Sequence, residues 1–280
     1  MDWDGLETHV AELPQGRIHY REGGSGETLI FIHGLLVHGE LWRKVVPALS
    51  ERFRCIVPDL PLGAHSEAMN RRADLTPPGL ARIIADFMAE VDLRDVTIVA
   101  NDTGGGLTQI VLANHPDRIK GVVLTNCDAY ENFLPKTLWP LQALGWIPGA
   151  TWLMAQSLRL RFSRWAFLWL VCREPTDDSM RLSFAAPSRD NGKVRRDLNK
   201  VLRGINSKHT KAAAKSFGEF KRPVLLAWGD RCWFFGRRYA ERLAADFPNA
   251  RIEPVSGAGT FVSLDRPDEL VRAVTGFCGE

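Results

Sequence analysis

The chain is 280 residues long, with 45% apolar and 25% charged side chains and no low-complexity tract, which excludes a disordered or fibrous protein and leaves room for one large α/β domain with an insertion. Its formal charge is only +3, and the basic excess between Arg181 and Arg222 recurs at helical spacing without interleaved aromatics, as a solvated helix face does, so no nucleic-acid partner is expected. The five cysteines, Cys55, Cys127, Cys172, Cys232 and Cys278, are odd in number and widely separated, which excludes a disulfide framework or a zinc site and suits a reducing cytoplasm.

Residues 8–13 and 17–21 read as two strands around the turn Pro14-Gln15-Gly16. After a Gly-rich turn, residues 28–32 form an apolar strand that runs straight into His33-Gly34-Leu35. Leu41, Trp42, Val45, Val46 and Leu49 mark the inner face of a helix. Residues 55–57 are the next buried strand, ended by Pro58-Asp59-Leu60-Pro61. Thr76 can cap a helix with Pro77 at its first position, and Leu80, Ile83, Ile84, Phe87, Met88 and Val91 give that helix an apolar stripe.

Residues 96–99 are a β-branched run that reads as a buried strand, ending in Ala100-Asn101-Asp102-Thr103-Gly104. Leu107, Ile110, Val111 and Ala113 follow at helical spacing. Small–x–polar–x–small between a strand and a helix is the pattern of a nucleophile elbow, where the two elements nearly touch and the central side chain is raised above the sheet edge. Asp suits that place because it tolerates left-handed backbone better than most residues. A plain helix N-cap is the competing explanation for Asp102.

Residues 121–125 are another buried strand. No strand is then expected from 130 to 211, a helical stretch that contains Trp139, Trp146, Trp152, Trp165 and Trp169. Its apolar run near Trp165 to Val171 is too short to span a bilayer, no secretory leader pattern opens the chain, and no membrane partner is expected. The sheet resumes at 222–228, followed by a helix with Tyr239 and Leu243, a strand at 250–255, and a last helix opened by Asp265 and Pro267. Buried strands alternating with helices predict a mainly parallel sheet covered on both faces. Residues 1–129 and 212–280 would form the core domain and residues 130–211 a helical cap, whose tryptophans could roof a pocket or fill a core.

The order of these motifs resembles the α/β-hydrolase fold over essentially the whole chain. With Asp102 at the elbow, the chain is similar to the branch that contains haloalkane dehalogenases and epoxide hydrolases. The resemblance implies that the backbone N–H groups of Leu35 and Thr103 form an oxyanion hole. It implies a structural role for His33, and places His38, Asp128, Trp139 and Trp165 as candidate pocket residues. It also marks two departures. The family's acid position falls on Cys232 and its histidine position on Thr260, and no histidine occurs beyond His209.

An Asp nucleophile forms an alkyl ester, and hydrolysing that ester requires a base that a threonine hydroxyl cannot supply near neutral pH. The expected protein is therefore an enzyme of this fold acting on a hydrophobic small molecule, with no metal and no cofactor. Asp102 would serve as acid/base beside the oxyanion hole in a non-hydrolytic cyclisation, isomerisation, dehydration or elimination. Two alternatives remain open. One is a hydrolase of epoxide, ester or carbon–halogen bonds, with Asp102 as nucleophile and water activated by His38 or Asp128. The other is a binding protein that has lost catalysis. The oligomeric state is also left open, a homodimer included.

Overall fold

The computed structural model describes residues 5–279. Eight strands form one sheet: β1 (Glu7–Leu13), β2 (Gly16–Gly23), β3 (Thr28–Ile32), β4 (Arg54–Pro58), β5 (Val96–Asp102), β6 (Ile119–Cys127), β7 (Val224–Gly229) and β8 (Ala250–Val255). They lie in the order β1-β2-β4-β3-β5-β6-β7-β8. The pairings β1–β2 and β2–β4 are antiparallel, and all others are parallel. This is the mainly parallel α/β architecture the sequence predicts.

Side-chain alternation between two buried layers explains why the central strands are apolar over most of their length. Ile30, Ile32, Ile98, Ala100, Val122 and Leu124 face one core layer, while Leu29, Phe31, Val99, Val123 and Leu225 face the other. The first layer is closed by α2 (Pro77–Glu90) and α3 (Thr103–Asn114), the second by α12 (Pro267–Cys278) through Leu270, Ala273, Val274 and Phe277.

Two local expectations change. The helix read across Leu41 to Leu49 is broken into a 3-10 turn (Gly39–Trp42) and a short α1 (Val46–Ser50), with Pro47 in the first turn of α1. Pro47 has no N–H for the Arg43 carbonyl and its ring would strike that carbonyl, so the helix cannot run through. The apolar residues are buried all the same. Thr76 precedes α2, but its hydroxyl donates to Asp74 Oδ1 at 2.7 Å and makes no cap bond.

Between β6 and β7 the described residues contain only helices and turns, apart from one isolated bridge between Ala129 and Asn132. The helices are α4 (Trp139–Leu144), α5 (Ala150–Ser157), α6 (Arg161–Val171), α7 (Asp178–Asp190), α8 (Gly192–Gly204) and α9 (Ser207–Ala213). The remaining helices are α10 (Arg237–Asp246) and α11 (Val262–Asp265).

Candidate active site

β5 ends on Asp102 and α3 starts on Thr103, so the chain reverses direction across one residue. Asp102 has φ 53° and ψ −132°. That ψ lies outside the left-handed helical basin, so the tolerance of Asp for that basin does not relieve the turn. The backbone stores strain on the order of 1–3 kcal/mol. Glycines make the turn sterically possible. A Cβ at Gly104 would collide with the His33 carbonyl oxygen, and one at Gly34 with the Asp102 carboxyl itself.

Although Asp102 occupies the cap position of α3, its side chain makes no capping bond. Instead the Leu35 N–H donates to Oδ2 at 3.2 Å, and the Thr103 N–H donates to the same carboxyl group. The two N–H groups expected to form an oxyanion hole are thus occupied by the carboxyl of Asp102. Burial raises its pKa to about 6, an effect the two N–H donors oppose.

Asp128 follows the end of β6, fully buried beside the elbow. Its Oδ2 accepts from the Thr103 hydroxyl at 3.1 Å, and its Oδ1 has no hydrogen-bond partner. Burial and then the charge of Asp102 push its pKa well up. Of the two groups Asp102 is the one that ionises first. Burial thus makes Asp128 the carboxyl that keeps its proton longer, and the two groups are joined through the N–H and O–H of a single threonine. Sequence reasoning singled out both carboxyl groups but not the Thr103 hydroxyl that links them.

Cys232 and Thr260 are brought together from opposite sides of β8, Sγ to Oγ1 3.1 Å. The Phe235 N–H also points to the Cys232 sulfur at 3.4 Å. Neither bonds to Asp102; burial first, and the Asp102 charge to a lesser degree, push the Cys232 thiol pKa up. The neighbouring loops are tied by two amides that sequence reasoning did not select. Asn101 Nδ2 donates to Thr125 Oγ1 at 2.8 Å and to the Thr260 carbonyl at 2.7 Å. Asn126 receives the Gly229 N–H at 2.7 Å and donates to the Gly229 carbonyl at 3.0 Å. Their signal, an amide side chain near the end of each of two largely apolar strands, was present in the sequence.

The histidines are engaged elsewhere. His33 Nε2 accepts from the Leu60 N–H at 2.8 Å, which leaves Nδ1 protonated to donate to the Gly34 carbonyl at 2.9 Å. Burial lowers its pKa to about 4. His38 accepts from the Glu40 N–H at 3.4 Å, bonds to the backbone of Ser183 and packs edge-on against Phe184 of α7. Burial lowers its pKa as well. Both pin loops, and neither hydrogen-bonds to Asp102.

An apolar cavity of about 340 Å³ lies among the helices between β6 and β7, lined by Leu138, Met154, Phe167, Leu168 and Phe184, with Leu36 and Phe234 also on its wall. Asp102 is not on that wall. Leu36 adjoins Leu35, whose N–H holds Asp102, so Leu36 is the wall residue that comes closest to the carboxyl in the chain. The expected tryptophan roof is absent. Trp139 and Trp165 are both exposed, and neither lines this cavity. Trp165 instead edges a separate groove with Trp169 and Arg173. Among the described residues no cluster of His, Cys, Asp and Glu could hold a metal ion.

A family model described as alpha/beta hydrolase fold matches residues 27–267. The chain belongs to this family. It lies on the dehalogenase-like branch. It is 27% identical to a cis-3-alkyl-4-alkyloxetan-2-one decarboxylase of Shewanella oneidensis, over 98% of this chain and 89% of that protein. It is 25% identical to haloalkane dehalogenase 2 of Mycobacterium tuberculosis, over 96% of this chain and 94% of that protein. In fold it is similar to haloalkane dehalogenase DbeA from Bradyrhizobium elkani (TM-score 0.82, 18% identity, 98% of each chain). It is likewise similar to the dehalogenase DatA from Agrobacterium tumefaciens (TM-score 0.82, 19% identity, 99% of this chain and 97% of that one).

Proposed function

We propose that this protein is a cofactor-independent lyase of an apolar small molecule, with Asp102 acting as nucleophile and then as leaving group. One observation carries the reading: the Asp102 carboxyl sits in its own pair of N–H donors with no histidine bonded to it. An acid/base role would need those donors free for a substrate oxygen. A nucleophilic role needs them where they are, on the oxygen of the ester that forms.

The activity for which the decarboxylase relative is named offers a substrate class that fits: a four-membered lactone with alkyl groups on C3 and C4. The ionised Asp102 attacks C4, the C4–O bond breaks, and the ring oxygen leaves as a free carboxylate. The C3–carboxyl bond then breaks. Its electron pair forms the C3=C4 double bond and expels the Asp102 carboxylate, giving an alkene and carbon dioxide. No water is consumed and no proton moves, so the cycle closes without the missing base. The N–H groups of Leu35 and Thr103 stabilise the charge that returns to Asp102. Hydrolysis is the poorer fit, because burial pushes Asp128 toward its protonated form and His38 is tied to α7.

In this reading residues 130–211 serve as a lid, and the apolar cavity takes the alkyl arms when Leu36 and Phe234 move aside. The free cysteines suit a cytoplasmic setting. The test is incubation with a cis-3,4-dialkyl-oxetan-2-one in ¹⁸O-water, with products followed by mass spectrometry. Alkene and unlabelled carbon dioxide, sampled before exchange with solvent, support the proposal. Formation of a labelled β-hydroxy acid, or no turnover of the lactone, refutes it.

A further inference from the structure

The two sides of α6 meet different surroundings. Phe167, Leu168 and Val171 line the cavity, whereas Phe162, Trp165 and Trp169 face solvent with 74%, 43% and 50% of their surface exposed. The outward face of a helix in a globular protein is normally polar, and here it is aromatic. The rings are continuous: Phe162 to Trp165 is 5.8 Å between centroids, Trp165 to Trp169 5.9 Å, and Trp169 to Trp233 5.1 Å. The Arg173 guanidinium lies 4.1 Å from the Trp233 ring centre. The preceding helix, α5, adds exposed Trp152 and Leu153. An apolar array of this kind marks a docking surface.

Charge decides what docks. No Asp or Glu occurs between Glu131 and Glu174, while Lys136, Arg159, Arg161 and Arg173 all fall in that stretch. The acids that follow are already paired, Glu174 with Arg266, Asp177 with Arg43 and Asp178 with Arg164. A second copy docked by two-fold symmetry would set the same positive surface against itself. An anionic lipid surface accepts both components, since tryptophan concentrates at the headgroup boundary and arginine pairs with phosphate.

We propose that the α5–α6 face attaches this protein to the surface of anionic phospholipid bilayers, with Phe162, Trp165 and Trp169 inserted at the headgroup–acyl boundary and Arg159 and Arg161 against lipid phosphates. The attachment is interfacial. Among the described residues no helix is long and apolar enough to cross a membrane. The cavity lies on the other side of the same helix, which puts a bilayer-dissolved apolar molecule one helix away from its binding space. The attachment does not depend on which reaction Asp102 performs.

The experiment is cosedimentation with vesicles of phosphatidylcholine alone or mixed with phosphatidylglycerol, with intrinsic tryptophan emission and quenching by brominated lipids read in parallel. Wild-type protein should bind the anionic vesicles at least about tenfold more tightly, more weakly as salt rises, with blue-shifted and quenched emission. Each lost cation should weaken binding about fivefold, so Arg159→Glu/Arg161→Glu should abolish the anionic preference. The triple variant Phe162→Ser/Trp165→Ser/Trp169→Ser should lose binding altogether. Circular dichroism confirms its folding, and if it fails to fold, the arginine variant and the quenching of the wild type decide. No binding by the wild type, equal binding to neutral vesicles, or binding unchanged in a folded variant overturns the proposal. So does a dimer, seen by light scattering, that the triple variant dissociates while vesicles remain unbound.

Discussion

The raised pKa of Asp102 predicts that removing its charge stabilises the protein. In Asp102→Asn the side-chain oxygen still accepts from Leu35 and Thr103, so geometry is kept and only ionisation is lost. Burial shifts the group from 3.8 to about 6 in the folded state. Because the folded value lies above the unfolded one, folding favours the protonated form. The associated stability is present below about pH 4 and lost as pH rises through 6. A shift of roughly two units corresponds to about 3 kcal/mol, which residual solvent contact reduces to about 1–3. At pH 8 the variant should therefore melt about 2–6 °C above wild type. At pH 5 about half of that gain should remain, since the penalty is only partly developed there. Calorimetry or circular dichroism melts of both proteins across this range measure the difference directly. Backbone strain at residue 102 is the same at every pH, so the pH dependence isolates the charge. A variant that melts at or below wild type at pH 8, or a gain that does not grow with pH, would refute the reasoning.

Two further predictions concern turnover. The logarithm of kcat/KM should fall as pH drops through about 6, where Asp102 takes up its proton, and Asp128→Asn should leave that limb in place because burial makes Asp128 ionise only after Asp102; a downward shift of the limb in the variant would mean Asp128 is ionised in the wild type. Asp102→Asn should lose at least about a hundredfold in kcat, while Thr260→Ala should cost less than about tenfold, since Thr260 only positions Cys232 and its loop. In Thr260→His/Cys232→Asp, the new imidazole should divert the alkyl ester toward hydrolysis, which would appear as a hydroxy acid. An unchanged product ratio in a folded, histidine-bearing variant would show that the pocket has diverged beyond those two positions.

Much of this molecule was legible from local pattern. Val96 to Val99, Asp102 and Gly104 announce a strand, a turn and a helix because the turn's steric demands fall on residues adjacent in sequence. The strands of the parallel sheet are apolar on both sides for the same reason that they are buried on both sides. The absence of a histidine beyond His209 needs no structure at all.

Other features were decided only by the assembled fold. Whether the Leu35 and Thr103 N–H groups are free or filled depends on where one carboxyl oxygen lands, and two segments far apart in the chain set that position. The proton on Asp128 results from burial and a neighbouring charge, neither of which is a property of its own segment. α6 gives the clearest case. Phe162, Trp165, Phe167, Leu168, Trp169 and Leu170 place apolar groups all round the helix, so periodicity cannot say which side is buried. Packing against α7 and the cavity selects Phe167 and Leu168 and leaves the tryptophans outside, because a helix can bury only the face its neighbours cover.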